Sequence, residues 1–278
     1  MNLKKLLLTT VLALGSASAS ASLITNGLGG TAGFGEGTLS ANDDDSTAFL
    51  DLSSVFSGGL NFFGTRYTGL YLNNNGNVTF DNVLSTFTPP ALNGNTSNPI
   101  IAPFFADVDT SGGAVAATPG GNSTGTNLVY WDLDTVNNTF TATWDDVGYF
   151  NSQTGLLNSF QLALIDQGSG DFDIEFRYED LNWTTGNASG GVNGLGGTVA
   201  RSGYSSGNGT DFNELSASGN QDQMLALTDT SNVGIAGLYR FEVRNGQVAP
   251  PTSVPEPSTL AVFALGLMGL ISRRFAKK

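Results

Sequence analysis

Residues 107–112 form the part of the sequence whose spacing best suits metal chemistry. Asp107, Asp109 and Ser111 place side-chain oxygens at the first, third and fifth positions, and a glycine follows at the sixth, as in the opening of a calcium-binding loop. Thr118 stands at the twelfth position, where such a loop has a bidentate glutamate. The spacing predicts a weak calcium site with these three ligands, or else a turn that the aspartates cap through their side chains.

A second set of carboxylates lies on a predicted strand. Asp171, Asp173 and Glu175 alternate with Phe172 and Ile174, so the three acidic side chains share one face. Carboxylates two residues apart on a strand lie about 6.6 Å apart, within the range of the acid and base pairs of glycoside hydrolysis. The same spacing is common on solvated strands, and we favour that interpretation. A secreted carbohydrate-active hydrolase that uses Asp or Glu is the alternative.

Trp183 is the residue that best fits a sugar-binding surface. It precedes the long glycine-rich stretch 184–209, and an exposed indole ring there could stack against a sugar. A place in the core is the other interpretation of an apolar side chain of this size. We keep Trp183 as the glycan-binding candidate.

Composition excludes much other chemistry. The 278 residues contain no Cys and no His, which excludes disulfides, zinc-finger sites, thiol nucleophiles and Ser-His-Asp triads. Between Ser22 and Val254 there is no Lys, and five Arg stand against 23 Asp and Glu, a net charge of −18. Because nucleic acid is bound chiefly through Lys and Arg, we expect no nucleic-acid partner. We predict a protein that is not an enzyme, with no cofactor apart from weakly bound calcium.

The residues between the two ends are expected to lie on strands, because their apolar positions repeat with a period of two. Four segments alternate in this way, each with one face for a core and one for solvent: 140–144, 160–164, 172–176 and 239–243. Residues 69–80 predict a hairpin, because the Asn-Gly pair inside 73–77 readily takes the positive φ of a tight turn. We predict an all-β, antiparallel β-sandwich with long Gly/Asn/Ser-rich loops, among them 110–127 and 184–209.

The first 21 residues are typical of a secretory signal peptide. Lys4 and Lys5 precede a largely apolar run, and Ala19 and Ala21 end two small-residue cleavage motifs. The apolar run is far shorter than the ~20 residues that a spanning helix needs. We therefore expect cleavage and export rather than a permanent anchor.

Residues 254–278 combine three features of a sorting signal. Pro255-Glu256-Pro257 precedes the apolar stretch 260–271, and Arg273-Arg274 follows it. A helix over this short hydrophobic stretch would rise about 18 Å, against a hydrocarbon core of about 30 Å, which favours transient membrane contact. The ordered set resembles the PEP-CTERM sorting signal of Gram-negative bacteria. That resemblance implies processing by an exosortase-type membrane protease, in bacteria that make extracellular polysaccharide.

A series of motifs in the body resembles the nidogen-like (NIDO) extracellular domain. They follow the family's order between residues 65 and 245: 98–110, 141–150, 158–161, 181–186, 196–204, 231–234 and 238–243. The resemblance implies an extracellular matrix or adhesion role, with no catalytic residues to assign. Animal members usually place cysteine-rich modules beside this domain, whereas this chain contains no Cys. The partner therefore stays open between an extracellular polysaccharide and a matrix protein.

The sequence thus predicts five segments. They are a signal peptide (1–21), a Gly-rich leader (22–48), a nidogen-like β-sandwich (49–246), a linker (247–253) and a PEP-CTERM sorting signal (254–278). We expect an exported, non-enzymatic adhesion or binding protein at the cell surface or in a biofilm matrix. It would be tethered to the membrane until its C-terminal signal is processed.

Overall fold

The computed structural model describes residues 23–249 of the protein. The predicted signal peptide, with its cleavage residues Ala19 and Ala21, lies outside the described residues. So does the predicted sorting signal, with Pro255-Glu256-Pro257, the apolar stretch 260–271 and Arg273-Arg274. Among residues 23–249, no helix combines the length and the apolar character needed to cross a bilayer.

Antiparallel strands form most of the regular structure of the described chain. One short α-helix, α1 (Gln221–Leu225), and two 3-10 turns, Asn187–Ser189 and Ala226–Thr228, are its helical parts. The strands in chain order are β1 (Gly37–Leu39), β2 (Leu50–Asp51), β3 (Leu60–Phe62), β4 (Thr65–Tyr67), β5 (Gly69–Asn73), β6 (Asn77–Thr79), β7 (Ile100–Phe105), β8 (Val108–Asp109), β9 (Leu128–Asp134), β10 (Thr139–Tyr149), β11 (Gln153–Gly168), β12 (Asp171–Leu181), β13 (Arg201–Ser205), β14 (Phe212–Glu214), β15 (Leu238–Arg244) and β16 (Gln247–Ala249).

The strands form two main sheets. The larger sheet has eight strands in the order β1-β9-β10-β11-β12-β15-β16, with β8 paired to β10. The smaller sheet has six strands in the order β14-β13-β7-β6-β5-β2, and β3 and β4 form a separate ribbon. The pairings between these strands are antiparallel. The predicted antiparallel β-sandwich is confirmed.

The core lies between the two sheets, where the alternating strands place their apolar faces. Phe172, Ile174 and Phe176 of β12 are fully buried. Phe104 of β7 packs against Phe160 of β11 across the two layers, with ring centroids 5.4 Å apart. Such aromatic pairs add about 0.5–1.5 kcal/mol beyond the burial of their area, so a core without disulfides can hold the layers together.

Two short strands lie in segments that the sequence placed outside the sandwich. In the predicted leader, β1 pairs with β9, so the larger sheet begins before Phe49. In the predicted linker, β16 pairs with β15. A strand of three residues is too short to show an alternating pattern, which explains why neither was visible in the sequence.

Candidate functional site

The hairpin formed by β5 and β6 is the platform of the candidate site. These strands pair as the sequence predicted, around the turn 74–76. Gly76 in this turn has a φ of +77°, and a Cβ added there would overlap the backbone oxygen of Phe104 on β7. Only glycine allows this approach without a shift of the chain. The turn therefore lies directly against the end of β7.

Two buried asparagines of this turn hold the acidic turn 42–45 against the segment that follows β7. The side-chain amide of Asn74 donates to the backbone oxygens of Asp43 (2.6 Å) and Val108 (2.7 Å). The side-chain amide of Asn75 donates to Oδ1 of Asp44 at 2.7 Å. The Asn75 Oδ1 accepts from the backbone amide of Val108 at 2.9 Å. Because a buried amide is costly without partners, these bonds fix the two segments relative to each other.

A reciprocal pair of hydrogen bonds fastens the same two segments. The backbone amide of Thr110 donates to the backbone oxygen of Asn42 at 2.9 Å. The backbone amide of Asn42 donates to Oγ1 of Thr110 at 2.8 Å. The acidic turn, which belongs to the predicted leader, is therefore attached to the sandwich beside β8.

Three carboxylates meet where these segments come together. Asp43, Asp44 and Asp107 each offer one oxygen, and these oxygens lie within 4.8 Å of one another. Asp107 is only 1% exposed, and neither of its carboxylate oxygens has a hydrogen-bond partner. Oδ1 of Asp43 also lacks a partner. Asp43 and Asp44 are partly exposed, so the cluster reaches solvent through the acidic turn.

Burial and mutual repulsion make these carboxylates difficult to ionise together. Burial, together with the charges of Asp43, Asp44 and Asp109, raises the pKa of Asp107 to about 7. Burial, together with the charges of Asp44 and Asp109, raises the pKa of Asp43 to about 6. A buried carboxylate without donors is stabilised by a proton or by a nearby cation. The cluster can therefore take up protons or a metal ion that prefers oxygen ligands.

Asp109 and Ser111, the other two predicted ligands, are engaged in a turn rather than grouped with Asp107. Oδ1 of Asp109 accepts from the backbone amide of Ser111 at 2.8 Å and from its hydroxyl. Oδ2 of Asp109 accepts from the backbone amide of Ser152 at 2.7 Å. This is the turn-capping role that the sequence left as the alternative. The spacing motif missed Asp43 and Asp44, whose only signal was the acidic run 43–45 near the end of the leader.

Asp145 shows how the fold accommodates a buried carboxylate elsewhere. It is fully buried, and its two oxygens accept from the backbone amides and hydroxyls of Thr124 and Thr126 at 2.6–3.0 Å. These bonds fasten the loop 110–127, which contains no strand, as the sequence predicted. Asp107 has none of this donor support, so its burial needs another explanation.

Ion pairs with arginine hold two of the three acids on the acidic face of β12. Glu175 pairs with Arg177 at 2.6 Å and also with Arg240. Burial acts to raise the pKa of Glu175, but the two guanidinium groups lower it overall. Asp173 pairs with Arg244 at 2.6 Å. Both acids are buried, so they do not lie on the solvated face that we favoured. A lowered pKa, as at Glu175, does not suit the general acid of a hydrolase.

Trp183 is buried, which contradicts its role as an exposed sugar-binding candidate. Its exposed fraction is 0%, and its Nε1 donates to the backbone oxygen of Val147 at 2.9 Å. Phe104 and Tyr149 pack against its ring at centroid distances of 5.7 and 5.5 Å. Because Trp183 follows β12 closely, it reaches the space between the sheets. Part of the glycine-rich stretch beside it forms β13 rather than a loop.

Comparison with known proteins confirms both resemblances found in the sequence. The family described as the nidogen-like domain matches residues 68–245, and the PEP-CTERM protein-sorting motif matches residues 253–277. Asp107 lies within the first match, whereas the acidic turn 42–45 precedes it.

The matching relatives are much longer than this chain. Alpha-tectorin of Mus musculus is 34% identical over an aligned length of 225 residues, and the match covers 75% of this chain and 10% of that protein. Nidogen of Drosophila melanogaster is 31% identical over an aligned length of 219 residues, and the match covers 72% of this chain and 15% of that protein. The chain thus spans about a tenth of the length of the alpha-tectorins that it matches. No solved structure matches it.

Proposed function

The chain belongs to the nidogen-like domain family, and we propose that it is an adhesion or binding module that works outside the cytoplasmic membrane. It also carries a PEP-CTERM sorting motif, which implies processing by an exosortase-type membrane enzyme. Both features support an exported protein at the cell surface or in the extracellular space.

The observation that carries the proposal is the presence of both matches in one chain. The nidogen-like match ends at residue 245, and the sorting motif begins at residue 253. The short separation means that the folded sandwich travels with the sorting signal. A domain that resembles extracellular matrix modules would therefore be delivered to the outside of the cell envelope.

The charge of the body narrows the class of partner. With a net charge of −18 between Ser22 and Val254, the body repels nucleic acid and other polyanions. A neutral extracellular polysaccharide of the producing bacterium is the partner that we propose, with a matrix protein as the second candidate. With such a partner, the module would act at a polysaccharide-rich cell surface or in a biofilm.

The proposed module binds its polymer without cleaving it. Glu175 and Asp173, the acidic residues that could have formed a hydrolytic pair, are held in ion pairs with arginine. Those ion pairs support a structural use of both acids. The hydrolase alternative is therefore the less favoured of the two functions.

We expect the protein exported by its own host to be retained on a gel that carries the host's neutral extracellular polysaccharide. The physical reason is that a neutral polymer meets no repulsion from the acidic surface, whereas DNA does. The measurement is the elution volume on the polysaccharide gel, on the bare gel and on a DNA gel at the same moderate salt concentration.

The controls distinguish specific binding from hydrolysis and from nonspecific adsorption to the gel. Elution from the polysaccharide gel at the bare-gel volume would contradict the proposed polysaccharide partner. Release of reducing sugar that disappears in Asp173→Asn would support the hydrolase instead. A host that lacks the exosortase supplies the unprocessed chain, whose intact mass shows whether the C-terminal tail is normally removed.

A further inference from the structure

We propose that Asp43, Asp44 and Asp107 bind one Ca²⁺ ion between the acidic turn 42–45 and the sandwich. The three side chains offer oxygens within 4.8 Å of one another. They come from two segments that buried asparagine side chains and backbone hydrogen bonds hold together. The cluster is therefore part of the folded architecture and is not a chance meeting of mobile surface acids.

The buried state of Asp107 is the independent observation that points to a ligand. Asp107 is 1% exposed, and both of its oxygens are without a hydrogen-bond partner. Asp145, equally buried, accepts bonds from four donors. Leaving a charged carboxylate unpartnered in the interior costs several kcal/mol. A cation beside the oxygens of Asp107 supplies the partner that the protein itself does not.

The chemistry of the donors favours calcium over other metals. The chain contains no His and no Cys, the ligands that zinc and copper prefer. Ca²⁺ binds oxygens at about 2.3–2.6 Å, so two ligands on opposite sides of the ion lie about 4.6–5.2 Å apart. Oxygens within 4.8 Å of one another fit around one such ion. Mg²⁺ usually takes one or two carboxylates and keeps several waters, so three carboxylates suit it less well.

The surroundings can complete the coordination. Asn75 holds Oδ1 of Asp44 at 2.7 Å, and this second contact orients a carboxylate that still has free lone pairs. Because Asp43 and Asp44 are partly exposed, water can fill the remaining positions of the six to eight that Ca²⁺ takes. The site therefore has one buried ligand, Asp107, and a solvent-exposed side at Asp43 and Asp44 through which the ion can enter.

Binding would fasten the predicted leader to the nidogen-like domain. The acidic turn lies before the matched region, and Asp107 lies inside it. An ion shared by the two segments adds a link to the hydrogen bonds between them and offsets part of the negative charge of the body. The expected affinity is that of weak extracellular sites, about 10⁻⁴–10⁻³ M.

The first test is direct binding to the full exported protein. Equilibrium dialysis against Ca²⁺ should show one ion per chain, and the melting temperature should rise. At a concentration about 100 times Kd, mass action raises the melting temperature of a domain of this size by about 5–11 °C. Mg²⁺ at matched ionic strength should raise it by clearly less.

Two variants at the proposed ligands and two control variants assign the effect. Asp107→Asn and Asp44→Asn should each abolish the bound ion and the calcium-dependent shift. Asp109→Asn should lower the melting temperature with and without Ca²⁺ but keep the shift, because Asp109 caps a turn. Asp229→Asn removes the same charge at an exposed position and should keep both the bound ion and the calcium-dependent shift.

The proposal is overturned if wild-type protein binds no Ca²⁺ in dialysis. It is also overturned if Ca²⁺ and Mg²⁺ give equal shifts, or if the shift persists in Asp107→Asn and in Asp44→Asn. Loss of the shift in Asp109→Asn with retention in Asp44→Asn would assign the ion to the sequence motif instead. Asp44 lies on a partly exposed turn, so this variant keeps the test valid even where Asp107→Asn folds poorly.

Discussion

Asp107 and Asp145 are both buried aspartates in an acidic body, yet their surroundings differ. Asp145 accepts from the amides and hydroxyls of Thr124 and Thr126, and so it fastens the loop 110–127. Asp107 meets other carboxylates instead. A hydrogen-bonded buried charge has a structural explanation in its donors. An unpartnered one is stabilised by a proton or by a cation, and this difference between two residues of one type is the basis for proposing a metal site at Asp107.

At the residue scale, Asp145→Asn should destabilise the protein and loosen the loop 110–127. The amide replaces one acceptor oxygen with a donor that faces existing donors, so we expect a loss of about 2–4 kcal/mol in the free energy of unfolding. Urea denaturation measures this loss, and hydrogen exchange should quicken at Thr124 and Thr126.

The exposed substitution Asp229→Asn is the matched control for Asp145→Asn. It changes the charge equally and should alter the free energy of unfolding by no more than about 0.5 kcal/mol. Unchanged exchange in the loop of Asp145→Asn would contradict the anchoring role of this carboxylate.

The sequence singled out Asp107 as a candidate ligand, but not Asp43 and Asp44, the acids that lie beside it. The spacing of 107–112 indicated calcium chemistry, but a spacing motif can include only ligands that are close together in the sequence. Asp43 and Asp44 reach Asp107 because Asn74 and Asn75 hold the acidic turn in place, a long-range contact with no local signal. Trp183 illustrates the same limit, because its burial depends on the sheet packed over it.

At the element scale, the hairpin turn between β5 and β6 does more than reverse the chain. It packs against β7, and its asparagines contact both segments of the candidate site. Because the buried Asn74 and Asn75 side chains have hydrogen-bond partners, the run 73–77 can be polar inside the fold. The turn thus connects core packing with the placement of the carboxylates.

Gly76→Ala should be strongly destabilising, by about 3 kcal/mol or more. The residue has a φ of +77°, and a Cβ would overlap the backbone oxygen of Phe104, so positive-φ strain and a backbone clash act together. Urea unfolding gives the magnitude. Because the clash moves Asn74 and Asn75, calcium affinity should fall as well.

Gly64→Ala is the matched control for Gly76→Ala. Gly64 has a φ of +87°, but nothing lies within 4 Å of the Cβ position, so only the backbone strain of about 1 kcal/mol remains. Equal losses in the two variants would show that the contact with Phe104 is unimportant.

The long strands could be predicted from the sequence, whereas some of the short strands could not. The long strands β10, β12 and β15 were visible because apolar residues alternate along each of them. The predicted solvent face is present in β15, whereas the polar positions between the apolar residues of β10 and β12 are mostly buried as well. β1 and β16 have three residues each, and they are held by backbone bonds to longer neighbours. Pairing of this kind leaves almost no pattern in the side chains, so the boundaries of the sandwich could not be predicted as well as its centre.

At the scale of the whole molecule, the balance of titratable groups is unusual. The chain has no His, the residue that normally titrates between pH 5 and 8. Among the described residues, burial raises the pKa of Asp43 and Asp180 to about 6 and that of Asp107 to about 7. Carboxyl groups therefore take over the pH response near neutrality. Two of these three belong to the candidate calcium site.

The stability of the calcium-free protein should fall as pH rises from 5 to 8. The pKa of Asp107 is about 7 in the folded state and 3.8 ordinarily, so the folded state holds more protons than the unfolded state between these values. The free energy of unfolding must then decrease with pH in this range. Glu175 has the opposite dependence, since its pKa is lowered from 4.5, but its effect lies below this window.

Thermal melts in chelator at pH 5, 6, 7 and 8 measure this dependence, and Ca²⁺ changes it in a way that identifies the site. An ion that replaces the protons of Asp43 and Asp107 should flatten the decline, because binding strengthens as these carboxylates ionise.

Asp107→Asn should also flatten the decline in chelator, since an amide does not ionise, and should melt higher than wild type at pH 8 without Ca²⁺. Asp180 lies outside the cluster and will leave a residual slope. A slope identical in wild type and Asp107→Asn would show that the buried aspartate does not titrate in this range, and the repulsion that the ion is proposed to relieve would then be absent.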